Sequence, residues 1–398
     1  MKEALIVGAG LSGRGMLGEM YNSDNFDITF ADTNSELIDG LKKQGYYTVK
    51  MTDIKSGVFK KSTISHFHTL DVLRDHDKYI QKLATTKYIS SALMPEDFEL
   101  FAKNIAEAIE YRNKHSINNK IYITLGANYV GLRQLVITLI RKYLKDNEYD
   151  CEKQNVFLIM SIVNRKNLMP EEKEKTSDKY QVVGDNKSVL RVDNNKSLSE
   201  EKDLPNFFVL ENNLDAAMAV KIWTGNVVQC SMAFVALSKG MQFTDEAAND
   251  EQASKYAYYA SKEAFAGVQK EYNLNPRTDE ETKYTVNIFK SKDFRDSLFR
   301  ITREPLRKFK HNDRFIGPAL CALKHGILPF YITKCLAYGF IYKNENEPDT
   351  LKVQNKIKNE GIDNAITEFC GLNMKDEKEK LVHDLILNNY LELVKCDL

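Results

Sequence analysis

Over roughly the first 165 residues, short apolar runs alternate with segments in which apolar residues recur at helical spacing. The apolar runs are typical of strands buried in a parallel sheet, and they lie at residues 5–7, 26–31, 87–93, 120–125 and 156–163. Helical spacing is clearest over residues 98–109 and 130–144. Strands that alternate with helices predict a doubly wound sheet of the Rossmann type.

The pattern changes after about residue 165. Residues 171–175 and 194–203 are charged and polar without an apolar period, so we predict solvated loops there, around a small pair of strands at 180–183 and 189–192. From about Leu210 onward apolar residues recur at helical spacing almost throughout. This second pattern predicts a domain made of helices.

The chain has 398 residues, which is long for a single hydrophobic core, so we expect two domains. The predicted fold class is α/β, with an N-terminal Rossmann doubly wound sheet followed by a mostly α-helical C-terminal domain. We place the nucleotide-binding domain at residues 1–205, including a loop-rich extension from about 165. The substrate-binding and catalytic domain is expected at residues 206–398.

Lys and Arg together number 56, and so do Asp and Glu, which makes the formal net charge zero. A balanced charge offers no basic surface to nucleic acid or to an anionic membrane, and the apolar stretches are shorter than the ~20 residues that span a bilayer. The six cysteines show no C-x-x-C spacing, as is typical of reduced thiols. We expect a cytoplasmic monomer or small homo-oligomer that acts on a small molecule, without nucleic-acid or membrane partners.

The first apolar run leads directly into the turn Gly8-Ala9-Gly10-Leu11-Ser12-Gly13, which has the GxGxxG spacing of dinucleotide-binding turns. Gly8 permits the tight turn, Gly10 lets a pyrophosphate approach the backbone, and Gly13 allows the next helix to pack closely on the strand. The free N–H groups and the dipole of that helix favour the pyrophosphate charge. We expect this turn to bind a dinucleotide.

The second apolar run ends on Asp32, roughly 20 residues after the last glycine of the turn. A carboxylate at this position accepts hydrogen bonds from both ribose hydroxyls of a dinucleotide. Its charge would repel the 2′-phosphate of NADP. The sequence therefore predicts NAD as the cofactor.

Three polar side chains share one flank of the first helix of the second domain: Lys221, Asn226 and Gln229. At about 100° per residue, Gln229 lies ~80° and Asn226 ~140° from Lys221. A desolvated lysine exchanges a proton with an alcohol, and an amide NH2 donates to an alkoxide or carbonyl oxygen. A structural role fits equally well, with the lysine reaching solvent and the amides bonded to the backbone.

These motifs together resemble the polyol-specific long-chain dehydrogenases, the mannitol dehydrogenase family, and most closely its mannitol-1-phosphate 5-dehydrogenase branch. In the N-terminal half the similar segments are the opening GAGxxGRG, Asp32 in a TFAD context, a TAVGP-like stretch at 90–95, and Gly126-Ala127-Asn128. The resemblance implies that Ser91 and Ala92, in that TAVGP-like stretch, contribute to the cofactor site. It covers nearly the whole chain.

In the C-terminal half the resemblance rests on the helix pattern K-x4-N-x2-H and on residues 303–318, which are similar to the RQPLRKL…DRLIxP segment of the mannitol-phosphate branch. It implies metal-independent hydride transfer between NAD and a secondary alcohol carbon. It also implies that Lys221 is the general base and that Asn128 and Asn226 hold the reacting oxygen. Gln229 replaces the family histidine, so it can hydrogen-bond a substrate hydroxyl but cannot take up a proton.

Four cations lie in the most specific block: Arg303, Arg307, Lys308 and Arg314. Guanidinium groups match phosphate oxygens in a bidentate manner, so these residues are candidates for binding a substrate phosphate. Alternatively, some of them pair with acids such as Glu304 and Asp313, or cap helix ends.

The function we predict is NAD-dependent interconversion of a linear ketose phosphate and its polyol phosphate, such as fructose 6-phosphate and mannitol 1-phosphate. One alternative is a dehydrogenase of an unphosphorylated polyol or sugar acid. Another is a protein that still binds NAD but has lost catalysis, because Gln229 departs from the family. We expect no metal site, since His66 and His68 are not followed by a third ligand at a recognisable spacing.

Overall fold

The computed structural model describes residues 2–52, 58–127, 129–165, 167–170, 178–290 and 295–396. The chain forms two compact units, Met1–Asp215 and Ala216–Leu398. The first unit combines strands with helices, and the second is built from helices. The predicted fold class is therefore confirmed.

The strands of the first unit position the glycine turn. Within the described residues they are β1 Lys2–Val7, β2 Phe26–Asp32, β3 Tyr47–Thr52, β4 Phe59–Ile64, β5 Phe67–Asp71, β6 Tyr88–Ser91, β7 Ile121–Gly126, β8 Val156–Ile162, β9 Asn167–Leu168, β10 Val182–Asp185, β11 Leu190–Asp193 and β12 Phe208–Glu211.

The larger sheet has the strand order β12-β11-β8-β7-β6-β1-β2-β5, and its neighbouring strands are parallel except for β8 and β11. In its centre Val7 of β1 lies opposite Ala31 of β2 and Ser91 of β6. The segments that follow these three strands therefore meet at one edge of the sheet, where doubly wound folds bind their ligands.

The predicted pairing of the strands near 180–183 and 189–192 is wrong. Instead, β10 joins the smaller sheet, of order β4-β3-β10-β9, where it runs parallel to β3. The next strand, β11, extends the larger sheet, antiparallel to β8. A short apolar run indicates a strand but carries no information about the sheet edge that the strand joins. Two strands that are neighbours in sequence therefore need not pair with each other.

Helices cover the larger sheet as its alternating pattern predicts. The first unit contains a π-helix at Gly13–Gly18 and the α-helices α1 Glu19–Ser23, α2 Ser35–Gln44, α3 His76–Thr85, α4 Phe98–Lys114, α5 Leu132–Leu144 and α6 Lys196–Ser199. The predicted apolar face of α4 is buried through Phe98, Phe101 and Ile105.

The helices of the C-terminal half follow one another with short connections. They are α7 Leu214–Ala219, a π-helix at Val220–Asn226, α8 Val227–Leu237, α9 Thr244–Asn249, α10 Glu251–Tyr272, α11 Asp279–Asn287, α12 Leu298–Thr302, α13 Pro305–Phe309, α14 Ile316–Lys324, α15 Phe330–Ile341, α16 Pro348–Cys370 and α17 Glu377–Cys396. Phe234 of α8 lies at the centre of their core, against the rings of Phe309, Phe315 and Tyr342.

The helical run Leu214–Leu237 is long and apolar enough to cross a membrane by length and composition, so the expectation that every apolar stretch is too short to span a bilayer is wrong for this run. Of its most apolar window, 61% is buried inside the protein. Such burial is the behaviour of a core helix, so this segment is weak evidence for a membrane span.

Candidate active site

In the glycine turn after β1, two of the glycines are closely packed and the third faces open space. Gly8 has φ +96°, and a Cβ added to it would lie 2.5 Å from the carbonyl oxygen of Ala92. A Cβ on Gly13 would lie 1.8 Å from the carbonyl oxygen of Gly8. A Cβ added to Gly10 would have no other atom within 4 Å. A side chain is therefore excluded at two glycines, while the third leaves the backbone open to a ligand.

The carboxylate of Asp32 is hydrogen-bonded to the backbone of this turn. Its Oδ2 accepts a hydrogen bond from the N–H of Ala9 at 2.6 Å, and its Oδ1 accepts one from the N–H of Asn34 at 2.8 Å. A carboxylate has about four acceptor sites, so two remain for ribose hydroxyls. Leu11 and Ser12 begin the helical backbone that follows.

A cleft of about 190 Å³ opens beside Asp32 and is lined also by Gly8, Gly10 and Ala92. Its remaining wall is largely apolar and includes Met94 and Phe101, neither of which is among the predicted site residues. An apolar wall next to a carboxylate with free acceptor sites suits an adenine ring beside its ribose. The turn, the carboxylate and the cleft together fit the adenosine and phosphate groups of a dinucleotide.

Ser91 and Ala92 occupy different surroundings, although they are adjacent. The Ser91 hydroxyl is buried, donates to the carbonyl of Thr124 and accepts from the N–H of Gly126, both at 3.1 Å. It thus ties β6 to β7, while Ala92 reaches the cleft. Asn128, expected to hold the reacting oxygen, lies outside the described residues.

Arg14 lies in the π-helix that follows the turn and is not among the predicted site residues. It is only 5% exposed, and burial lowers its pKa from the usual value. Its Nη1 donates to the carbonyl of Ala9. Because the Ala9–Gly10 peptide is trans, the N–H of Gly10 points the opposite way from that carbonyl, away from the buried guanidinium. By holding this carbonyl, Arg14 fixes the orientation of the Ala9–Gly10 peptide and so of the Gly10 N–H.

Replacing Arg14 by Met is expected to weaken NADH binding about tenfold, the size of one hydrogen bond to a charged group. Fluorescence titration with NADH measures it. The matched control is Arg112→Met, since Arg112 is 3% exposed and also donates to backbone carbonyls, but away from the turn. Both changes should lower Tm. NADH affinity equal to wild type in the Arg14 variant would show that this guanidinium only stabilises the fold.

In the second unit, Lys221 and Asn226 lie in the π-helical segment, and Gln229 lies in the first turn of α8. All three side chains are partly buried. In π-helical winding, residues five apart occupy successive turns, so Asn226 follows Lys221 along one face. The ~140° separation expected from an α-helix is wrong for this pair, because residue spacing alone does not indicate the π winding over Val220–Asn226.

The block at 303–318 packs against this helix within the second unit. The indole Nε1 of Trp223 donates to the carbonyl of Asn312 at 3.2 Å. A Cβ on Gly317 would lie 2.6 Å from the same nitrogen, so only glycine allows this approach. Nη1 of Arg314 lies 3.5 Å from Sγ of Cys230, the residue after Gln229. Two segments far apart in sequence thus form one surface.

The four cations of the block differ in their surroundings. Arg307 pairs with Glu304 at 3.0 Å and lies 3.7 Å from Asp313, which also binds Nε of Arg314 at 2.6 Å. Arg303 is exposed. Lys308 is 3% exposed, and among the described residues no carboxylate lies within salt-bridge distance of it.

Burial lowers the pKa of Lys308 to about 8. The neighbouring guanidinium groups of Arg314 and Arg307 lower it further. An ammonium that is desolvated and lacks a carboxylate partner is costly, and an anionic ligand would compensate that cost. Lys308 is therefore the buried cation of the block that forms no ion pair within the part of the chain that the structure describes.

Family models match both halves of the chain. The mannitol dehydrogenase Rossmann domain matches residues 2–206, and the mannitol dehydrogenase C-terminal domain matches residues 213–386. The chain is 26% identical over 402 residues to a mannitol-1-phosphate 5-dehydrogenase of Buchnera aphidicola subsp. Acyrthosiphon pisum (strain 5A), and 24% identical over 389 residues to that of strain Tuc7. Each match covers 97% of both chains.

Solved structures show the same fold at low identity. Pseudomonas fluorescens mannitol 2-dehydrogenase, in a ternary complex with NAD and D-mannitol, superposes with a TM-score of 0.71 at 14% identity, covering 98% of this chain and 92% of that one. A substrate-free D-sorbitol dehydrogenase gives 0.62 at 12% identity, covering 96% and 92%.

Proposed function

The chain belongs to the mannitol dehydrogenase family, and from this premise we propose that it is an NAD-dependent oxidoreductase interconverting a linear ketose phosphate and its polyol phosphate. The relatives named mannitol-1-phosphate 5-dehydrogenase support the phosphorylated substrate. The observation that carries the proposal is Lys308, a buried ammonium without a carboxylate partner among the described residues, in a block that contacts the helix of Lys221.

In the proposed mechanism Lys221 accepts the hydroxyl proton of the polyol as the carbonyl forms. Asn226, one turn further along the π-helix, donates its amide N–H to the oxygen as charge develops there, and Asn128 is assigned the same task. When bound, NAD supplies the acceptor for the hydride that leaves the substrate carbon. In the reverse direction Lys221 returns the proton to the oxygen.

A second candidate is a dehydrogenase of an unphosphorylated polyol or sugar acid. It is favoured by the ion pairs of Arg307 and Arg314 with Glu304 and Asp313, which leave fewer cations for a phosphate. A screen of NADH oxidation with C5 to C7 ketose phosphates and their dephosphorylated forms separates the two. Turnover of phosphorylated ketoses supports the proposal, and turnover of dephosphorylated ones alone supports the second candidate. If the wild-type protein oxidises NADH with none of these substrates, the interpretation that it has lost catalysis is supported.

The preference for NADH over NADPH is expected to depend on Asp32. Replacing Asp32 by Ala removes the charge that repels a 2′-phosphate and also leaves the N–H of Ala9 without its acceptor. Affinity for both cofactors should fall, and the ratio of NADH affinity to NADPH affinity should come closer to one. Asp27→Ala, on the same strand, is the control. Wild-type protein that binds NADPH as tightly as NADH in fluorescence titrations would contradict this assignment.

Gln229 is expected to contribute no ionisation of its own, because an amide does not titrate. The pH profile of wild-type kcat should then show one main ionisation, which we assign to Lys221. Gln229→His should add a second one near the histidine value of about 6.5 and leave NADH affinity unchanged. Gln229→Leu serves as control, since it should add none. A profile of Gln229→His identical to wild type would place this position outside the reacting site.

A further inference from the structure

A group of metal-ligating side chains lies in the second unit, apart from the residues assigned to catalysis. It consists of Glu271 in the last turn of α10, Cys321 in α14 and His325 at the end of α14. One ligand atom from each residue lies within 4.8 Å of the other two. Cys321 follows Glu271 by 50 residues and His325 follows it by 54, so spacing along the sequence does not indicate this group.

Local structure places these three groups rigidly. Cys321 and His325 are four residues apart, so they project from one face at the end of α14. One turn before Glu271, a Cβ on Gly267 would lie 2.8 Å from the backbone nitrogen of Ala322. The two helices are therefore in backbone contact where the group lies, and neither can move aside without breaking that packing.

The donor set is a thiol, an imidazole and a carboxylate, which is the combination that Zn²⁺ prefers. Ligand atoms on a tetrahedral zinc are about 3.3–3.6 Å apart, so the observed spacing requires only small side-chain movements. Cys321 is buried, whereas His325 and Glu271 are partly accessible, which leaves a fourth position open to water. We propose that Glu271, Cys321 and His325 form a binding site for a thiophilic divalent cation such as Zn²⁺.

The carboxylate of Glu271 also has partners within the protein. Glu271 binds Nζ of Lys324 at 2.8 Å and Nε2 of His325 at 2.7 Å. A bound cation must take both the carboxylate oxygen and the imidazole nitrogen, so Lys324 competes with it. Removing the ammonium should therefore tighten metal binding, a result that a purely structural ion pair does not predict.

The site would link α10 to α14 by coordinate bonds. Binding to the folded state alone stabilises it by mass action, so Tm should rise with metal concentration. None of the three ligands belongs to the cofactor or substrate residues assigned above. The proposal is therefore independent of the enzymatic one, and either can fail alone.

The test uses the full chain, free of affinity tags and stripped with a chelator, titrated with Zn²⁺ against a chromophoric chelator and with Co²⁺ by absorption. We expect one metal per chain and the thiolate-to-cobalt charge-transfer band. Cys321→Ser and His325→Asn should each weaken binding about 10- to 100-fold, and Lys324→Met should tighten it. Cys321→Ser should also lose the cobalt band.

His311→Asn is the matched control, because His311 pairs with Glu379 at 3.1 Å, outside this group of ligands. Its metal affinity should equal that of wild type. Zinc affinity unchanged in Cys321→Ser, or a cobalt spectrum without the thiolate band, would overturn the proposal. So would weaker binding in Lys324→Met at wild-type Tm.

Discussion

Replacing Lys221 by Met is expected to lower turnover by roughly 10² to 10⁴, the range for removal of a positioned proton-transfer group. Lys221 lies one π-helical turn before Asn226, where a proton acceptor and an oxygen-holding amide would face the same substrate atom. NADH affinity should stay at the wild-type value, because the residues assigned to the cofactor lie in the first unit. Steady-state kinetics and an NADH titration on the same preparation measure both quantities.

Lys239→Met is the control for loss of a lysine from the second unit, because Lys239 forms an ion pair with Asp250. It should keep wild-type turnover. If Lys221→Met retains most of its activity, the polar group on this helix is structural and the proposed mechanism is wrong.

The second large effect is expected at Lys308. Lys308→Met should raise KM for a ketose phosphate about 10- to 100-fold, which corresponds to losing one hydrogen bond to a charged group, about 1.5–3 kcal/mol. Turnover, and KM for the dephosphorylated ketose, should change little. Because the variant removes a buried ammonium that lacks a carboxylate partner among the described residues, Tm should not fall.

The pKa of Lys308 gives this prediction a pH dependence. Burial lowers it to about 8, so the ammonium is charged below that pH and loses its proton above it. In wild type, KM for the ketose phosphate should rise as pH increases through about 8. Lys308→Arg keeps the charge and should flatten that rise.

The kinetic pattern of these variants also tests the division of roles. Lys308 has a pKa close to neutrality, so it could itself accept a proton. A loss of kcat in Lys308→Met as large as in Lys221→Met, with KM unchanged, would assign the proton to Lys308 instead. An equal rise in KM for phosphorylated and dephosphorylated ketoses would assign Lys308 to packing.

Local patterns were enough to predict the fold class and the glycine turn. The turn after β1 is determined by the strand before it and by positions where only glycine fits, as the contacts of Gly8 and Gly13 show. The apolar face of α4 follows from spacing along one helix. Each of these features depends on residues close together in the chain, so the sequence alone could reveal them.

Features that depend on distant residues escaped prediction. The pairing partners of β10 and β11 depend on which sheet edges are free. The sequence of a single strand does not indicate those edges. Arg307 pairs with Glu304, whereas Lys308 has no carboxylate partner among the described residues, and both outcomes depend on how helices pack against one another. The π winding over Val220–Asn226 also changes the relative placement of Lys221 and Asn226, which residue types alone do not indicate.

The most direct test of the proposed function is the ratio of kcat/KM for a C6 ketose phosphate to kcat/KM for the same ketose without phosphate, measured with NADH on wild-type protein. We expect a ratio of at least about ten in favour of the phosphorylated substrate. A ratio near one, or one that favours the dephosphorylated ketose, would contradict it.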